Sequence, residues 1–190
     1  EAAIRGIVRT AVETYASGFS DRHIEEATDP EGTINSKIHN IFIAALGPEI
    51  QYYSSLARSL DSSLGNMLEK MAINIAKLFY EVTQHVEGPL AREQTDFIAE
   101  LLEKYKRHNS IPQISDYQDL RNQYVAKSAN VKRHESDYYL YDTYTKCHYL
   151  IELKIGGDLD NKKARSEKEA LLEQFSILSN TLPTNATIKI

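Results

Sequence analysis

The runs ESDYYLYD (residues 135–142) and CHYLIELKI (residues 147–155) decide the fold. Both are rich in aromatic and β-branched residues, and a short polar segment joins them, so they predict a β-hairpin. Side chains two apart on a strand share a face, so Glu152 and Lys154 project together with Leu150. The opposite face is uniformly apolar, and we expect a core to cover its four residues: Tyr149, Ile151, Leu153 and Ile155.

The charged residues of this hairpin are its most informative feature. Asp137 begins the first strand, and Glu152 and Lys154 lie on the second. A carboxylate or an ammonium in apolar surroundings costs free energy unless it is paired or binds a metal. Two carboxylates around a divalent cation, with a lysine beside them, are the groups needed to hydrolyse a phosphodiester. The alternative is a strand that faces solvent on one side, where lysine is a common edge residue. The residues alone favour both interpretations equally.

Length and composition limit the class of protein. A chain of 190 residues suits one domain with a real core and a helical extension. The net charge of −5 gives no polycation signal, so nucleic-acid binding must rest on a local patch. One cysteine, Cys147, cannot form an internal disulfide, which fits a reducing cytosol. No apolar run approaches the roughly 20 residues of a membrane span. The chain starts at Glu1 rather than Met and stops inside a strand-like run, so we expect both ends to be trimmed.

The order of the predicted elements indicates an α/β protein whose N-terminal part is mainly helical. The sequence pattern predicts helices before the hairpin at five places: a helix ending at Gly18, a helix opening at Thr33, a helix starting at Pro48, a helix from about 62 to 86, and a helix across about 90–105. A short helix over 116–127 precedes the hairpin, and a helix over 163–180 and a strand near Thr187 follow it. We expect a single domain over 1–190, with 1–60 as a helical extension and 61–190 as the core.

A third carboxylate lies on the helix predicted over 62–86. Glu69 falls on the flank of that helix, where Gly65 and Ala76 permit close approach by another element. From there it is a candidate to reach an adjacent site. The alternative is an ordinary boundary glutamate that makes a surface ion pair.

Asp137, the hairpin turn and Glu152-Leu153-Lys154 resemble the PD-(D/E)XK nuclease motif, with Glu135-Ser136-Asp137 in place of the proline-aspartate pair. Gly65-Asn66-Met67-Leu68-Glu69 matches the glutamate that a preceding helix often adds. The stretch 149–175 is similar to type II restriction endonucleases, in particular to a group that cuts GGNCC-type sites. The resemblance covers about 60–190. It implies a restriction-endonuclease-like core, in which helices flank a mixed sheet.

The resemblance also implies roles for these residues. Asp137, Glu152, the Leu153 carbonyl and Glu69 would bind Mg²⁺, because hard cations prefer oxygen ligands. Lys154 would orient or help deprotonate the attacking water and stabilise charge on the phosphate. Four residues beyond the second strand are the candidates for DNA contact or for a place near the site: Lys162, Lys163, Arg165 and Gln174.

The function that the resemblance implies is a Mg²⁺-dependent endonuclease that cuts double-stranded DNA in the cytoplasm of a prokaryotic cell. Two-fold symmetry is the simplest way to cut both strands, so we expect a homodimer. No Gly-rich phosphate loop indicates a nucleotide cofactor. Two alternatives stay open: a repair or junction-resolving nuclease with the same core, and a non-catalytic helical protein that binds DNA or another protein.

Overall fold

A computed structural model of the chain describes residues 1–29, 41–106, 110–153 and 161–190. It forms two compact units, Glu1–Ile75 and Ala76–Ile190. The described part of the first unit is helical, with α1 at Ala2–Thr28, α2 at Ile41–Leu46 and α3 at Pro48–Ala76. The predicted helical N-terminal part is therefore confirmed for the described residues. The helix predicted to open at Thr33 begins outside them, and the single-domain organisation with its boundary at residue 60 stays a prediction.

The second unit is an α/β structure built on a four-stranded mixed sheet in the order β1-β2-β3-β4. Neighbouring strands are antiparallel except β3 and β4, which run parallel because α6 crosses over between them. The strands are β1 Glu81–Ala91, β2 Ala129–Asp142, β3 Cys147–Ile151 and β4 Thr187–Lys189. The helices are α4 Arg92–Lys106, α5 Ser115–Asn122 and α6 Asn161–Thr181, and a 3₁₀ turn spans Ala126–Ser128. The predicted hairpin, final helix and final strand are present. However, β2 starts at Ala129 and not at Asp137, and β3 ends at Ile151, so Glu152 and Leu153 lie beyond the strand on which they were predicted.

Two predictions about helix length are wrong. The first helix does not end at Gly18 but continues to Thr28. The helix expected to run to about Val86 ends at Ala76, and residues 81–91 form β1 instead. Pairing with β2 along nearly the whole of β1 outweighs the local helical spacing. Because β1 is the outer strand of the described sheet, Pro89 and its missing N–H are tolerated there.

The core of the second unit lies between the sheet and α6. Val86, Leu90 and Leu150 from the sheet form one buried cluster with apolar residues of the helices: Ile98, Leu120, Phe175, Ile177 and Leu178. The approach of α6 to β1 is close at Gly88. A β-carbon there would lie 2.7 Å from Thr181 Oγ1 and 2.8 Å from Ile177 Cγ2, so glycine is what lets the helix pack this closely.

The predicted orientation of the second hairpin strand is wrong. We expected the Leu150 side to be polar and the Ile151 side to be covered. Instead Leu150 is buried in the main cluster, whereas Ile151 and Leu153 are 42% and 38% exposed. The reason is that α6 packs on the side that holds Leu150. Glu152 comes two residues after Leu150, so the same alternation would place it on the face that α6 covers.

The turn of the hairpin is organised by Asp142. Its carboxylate accepts hydrogen bonds from the Tyr144 N–H at 2.9 Å, the Thr145 N–H at 3.2 Å and the Thr145 hydroxyl at 2.6 Å. The hydrogen bond from the Thr145 hydroxyl lowers the pKa of Asp142 below its usual range, and the hydrogen bond from the Thr145 N–H lowers it further. The ionised form therefore fixes the turn.

We expect Asp142→Ala to lower the urea midpoint of unfolding at pH 7. Because the folded pKa is depressed, the charge-dependent part of this stabilisation is present above the unfolded pKa of about 3.9. It is lost as the pH falls through the folded pKa. The difference in urea midpoint between wild type and variant should therefore become smaller as the pH falls towards about 2. A difference that does not depend on pH would contradict this account. Asp119→Ala, at an exposed position of α5, serves as the control and should change stability by less than about 0.5 kcal/mol.

None of the helices described is long and apolar enough to cross a membrane.

Candidate active site

The open end of the β2–β3 hairpin brings the predicted carboxylates together. The last paired residues are Tyr138 and Ile151, so the next opposed positions along the strands are Asp137 and Glu152. Side chains at opposed positions on antiparallel strands have β-carbons about 4.5–5.5 Å apart. The Leu153 N–H donates a hydrogen bond of 3.0 Å to Asp137 Oδ2, which ties the chain beyond β3 back to β2. The two acids therefore share one small region of the surface.

This arrangement has a clear electrostatic consequence. Like charges at opposed positions of a sheet repel each other, and Asp137 and Glu152 are both only partly exposed. A divalent cation between them would convert the repulsion into attraction. Two carboxylates with water molecules in the remaining positions are also a usual coordination for Mg²⁺, which dehydrates reluctantly. The chemistry of this donor pair therefore fits the expected cation.

The predicted roles of three further members of the site are not tested by the described geometry. Lys154 lies outside the described residues. Glu69 belongs to α3 in the first unit, whereas Asp137 and Glu152 belong to the second, so its role as a further ligand stays a prediction. The Leu153 N–H is engaged with Asp137, and the role of its carbonyl is likewise a prediction. Within the described ranges no group of three or more Asp, Glu, His or Cys residues is close enough to hold a metal.

The residues predicted to contact DNA differ in accessibility. Lys163 is exposed on the first turn of α6, and the side chain of Lys162 lies outside the described part. Arg165 donates a hydrogen bond of 2.9 Å from Nη1 to Glu103 Oε2 on α4, and its side chain is 40% exposed. A phosphate at Arg165 would compete with Glu103. Gln174 is only 1% exposed, so it lies below the surface that DNA reaches first.

Three charged residues next to the site were not predicted. Glu173 of α6 is 3% exposed, and its Oε2 lies 2.6 Å from Lys132 Nζ and 2.8 Å from His134 Nε2 on β2. The one signal in the sequence is an acid inside the mainly apolar run of 170–178, where an unpaired charge would be costly. Its partners lie about 40 positions earlier in the chain, so spacing alone does not reveal the pairing.

Comparison with known proteins gives one match. A family model described as "Type II restriction endonuclease, HinfI" matches residues 2–190, which is nearly the whole chain. No curated protein and no solved structure matches significantly. The chain belongs to the HinfI family of type II restriction endonucleases.

Proposed function

We propose that this chain hydrolyses phosphodiester bonds of double-stranded DNA at a short specific site, with Mg²⁺ held by Asp137 and Glu152. The proposal rests on the position of these two acids, each one residue beyond the last pair of the β2–β3 ladder, Tyr138 and Ile151, in a chain of a restriction endonuclease family. The hydrogen bond from the Leu153 N–H to Asp137 supports it, because it fixes one carboxylate beside the residue that carries the other.

The proposed mechanism assigns a separate task to each residue. Asp137 and Glu152 would hold the cation through their carboxylates, with the Leu153 carbonyl as a further oxygen ligand. When bound, the cation would neutralise negative charge on the scissile phosphate. Lys154, two positions after Glu152, orients the attacking water, helps to remove its proton and stabilises the charge that develops on the phosphate. Lys163 and Lys162, at the start of α6, neutralise phosphates of the duplex, and Arg165 does so once released from Glu103.

The proposal includes a homodimer that works in the prokaryotic cytoplasm. One catalytic centre per chain cuts one strand, so a pair of chains related by a two-fold axis is the simplest way to cut both strands. The family match names no recognition sequence, so a GGNCC-type site stays a sequence-based prediction. Mapping the ends of cleaved fragments tests it directly.

We expect the purified protein to cut plasmid DNA into discrete fragments in Mg²⁺. Cleavage should stop when EDTA is added and return when Mg²⁺ is restored in excess. The measurement is gel electrophoresis of a plasmid over a time course. Cleavage confined to branched or single-stranded substrates would favour the repair nuclease instead. Duplex binding without any cleavage in Mg²⁺ would favour the non-catalytic DNA-binding protein.

A further inference from the structure

The strand that carries Asp137 is irregular just beside it. Thr83 pairs with Tyr139 and His85 pairs with Glu135, so two steps along β1 correspond to four steps along β2. The additional residues of β2 form a bulge at 136–138. Bulges occur often beside active sites, where they change the direction of a side chain.

Asp137 is itself one of the bulged residues, and it lies between buried Ser136 and buried Tyr138. Its carboxylate accepts the hydrogen bond from the Leu153 N–H described above. The bulge gives β2 two more residues than β1 between the paired positions, so a regular ladder would shift Asp137 along β1. The position of Asp137 beside Leu153 therefore depends on the shape of the bulge.

Two adjacent residues of α6 hold the strand immediately before Asp137. Gln174 donates a hydrogen bond of 3.3 Å from Nε2 to the backbone carbonyl of Glu135. Glu173 accepts a hydrogen bond from Lys132 and lies 2.8 Å from His134 Nε2, as described above. These contacts fasten β2 to α6 up to the point where the bulge starts.

The burial of the polar Gln174 side chain indicates that the hydrogen bond its amide donates is needed. Gln174 is 1% exposed, and its Oε1 has no hydrogen-bond partner among the described residues. A buried amide oxygen without a hydrogen-bond partner costs free energy. An apolar side chain would therefore stabilise position 174 better, unless the hydrogen bond that the Gln174 Nε2 group donates is needed. That donor goes to Glu135, two residues before Asp137.

We propose that Gln174 is a positioning residue that holds the β2 bulge, and through it the Asp137 carboxylate, in the geometry that binds the divalent cation. The inference rests on the proposed function, since it concerns the same site. Removing the donor leaves the Glu135 carbonyl without this partner and lets the bulge shift towards a regular ladder. Asp137 then moves relative to Glu152, and the cation loses one of its two fixed ligands.

The test is the affinity of the whole chain for Mn²⁺, measured by electron paramagnetic resonance of the free ion. Gln174→Met keeps the length of the side chain and removes the donor, and we expect its Mn²⁺ affinity to fall by about 10- to 100-fold. Gln174→Asn keeps the amide but shortens its reach, and it should show the same loss if the methionine variant does not fold. Ser176→Ala is the control, since the hydroxyl of this buried serine donates a hydrogen bond to the Leu172 carbonyl of its own helix.

The Mn²⁺ measurement separates this inference from the proposed function. Unchanged Mn²⁺ affinity in the folded Gln174 variants would overturn the positioning role, even if the wild type cuts DNA. A loss in Ser176→Ala equal to that in Gln174→Met would overturn it as well, because the effect would then be general to α6. A wild type that binds Mn²⁺ but cuts no DNA would contradict the function and leave the Gln174 result valid.

Discussion

Glu152→Gln is expected to lower the rate of DNA cleavage by on the order of 10³-fold while leaving the fold intact. The amide keeps the shape of the side chain but removes the negative charge that we assign to cation binding. Asp137→Asn should have the same effect, because we assign both acids, which lie one residue beyond the last β2–β3 pair, to the same cation. The measurement is the single-turnover rate of plasmid cleavage in saturating Mg²⁺, with circular dichroism to check folding.

A matched control lies on the neighbouring strand. Glu87 of β1 is half exposed, and it lies 3.8 Å from Arg133 at a surface ion pair. Glu87→Gln makes the same chemical change outside the proposed site and should leave cleavage near the wild-type rate. If Glu152→Gln kept wild-type activity, or if Glu87→Gln lost as much as Glu152→Gln, the assignment of the site would be wrong.

Ile177→Ala is expected to lower the free energy of unfolding by about 2–5 kcal/mol. Ile177 is 0% exposed in the cluster between α6 and the sheet, and its Cγ2 lies against the backbone of Gly88. The smaller side chain loses apolar burial and leaves a cavity. Urea unfolding followed by circular dichroism gives the measurement.

The control for this substitution is Ile111→Ala, which makes the same change at a side chain that is 78% exposed. It should alter the free energy of unfolding by less than about 0.5 kcal/mol. Equal effects of the two substitutions would contradict the packing of α6 on the sheet described above.

The sequence predicted the elements whose signals are local. Alternation and tyrosine-rich runs predicted the β2–β3 hairpin, and apolar spacing predicted α6. Residues 81–91 were missed as a strand because they become one only by pairing with β2, which starts 38 positions after Ala91. Local propensity carries no information about so distant a partner.

The sequence identified the acids of the candidate site but not the tertiary contacts around them. Asp137 and Glu152 were identified from their charge in an apolar hairpin, and the β2–β3 ladder ends at the residues next to them, Tyr138 and Ile151. Which face of β3 is covered depends on where α6 packs, and the uniformly apolar set of Tyr149, Ile151, Leu153 and Ile155 indicated the wrong face. The bulge of β2 and the pairing of Glu173 with Lys132 and His134 also depend on tertiary contacts.

Anomalous X-ray diffraction from crystals soaked in Mn²⁺ tests the central claim most directly. The account predicts an anomalous peak between the carboxylates of Asp137 and Glu152, at the open end of the β2–β3 hairpin. Ordered Mn²⁺ at other positions, with none at these two acids, would contradict it.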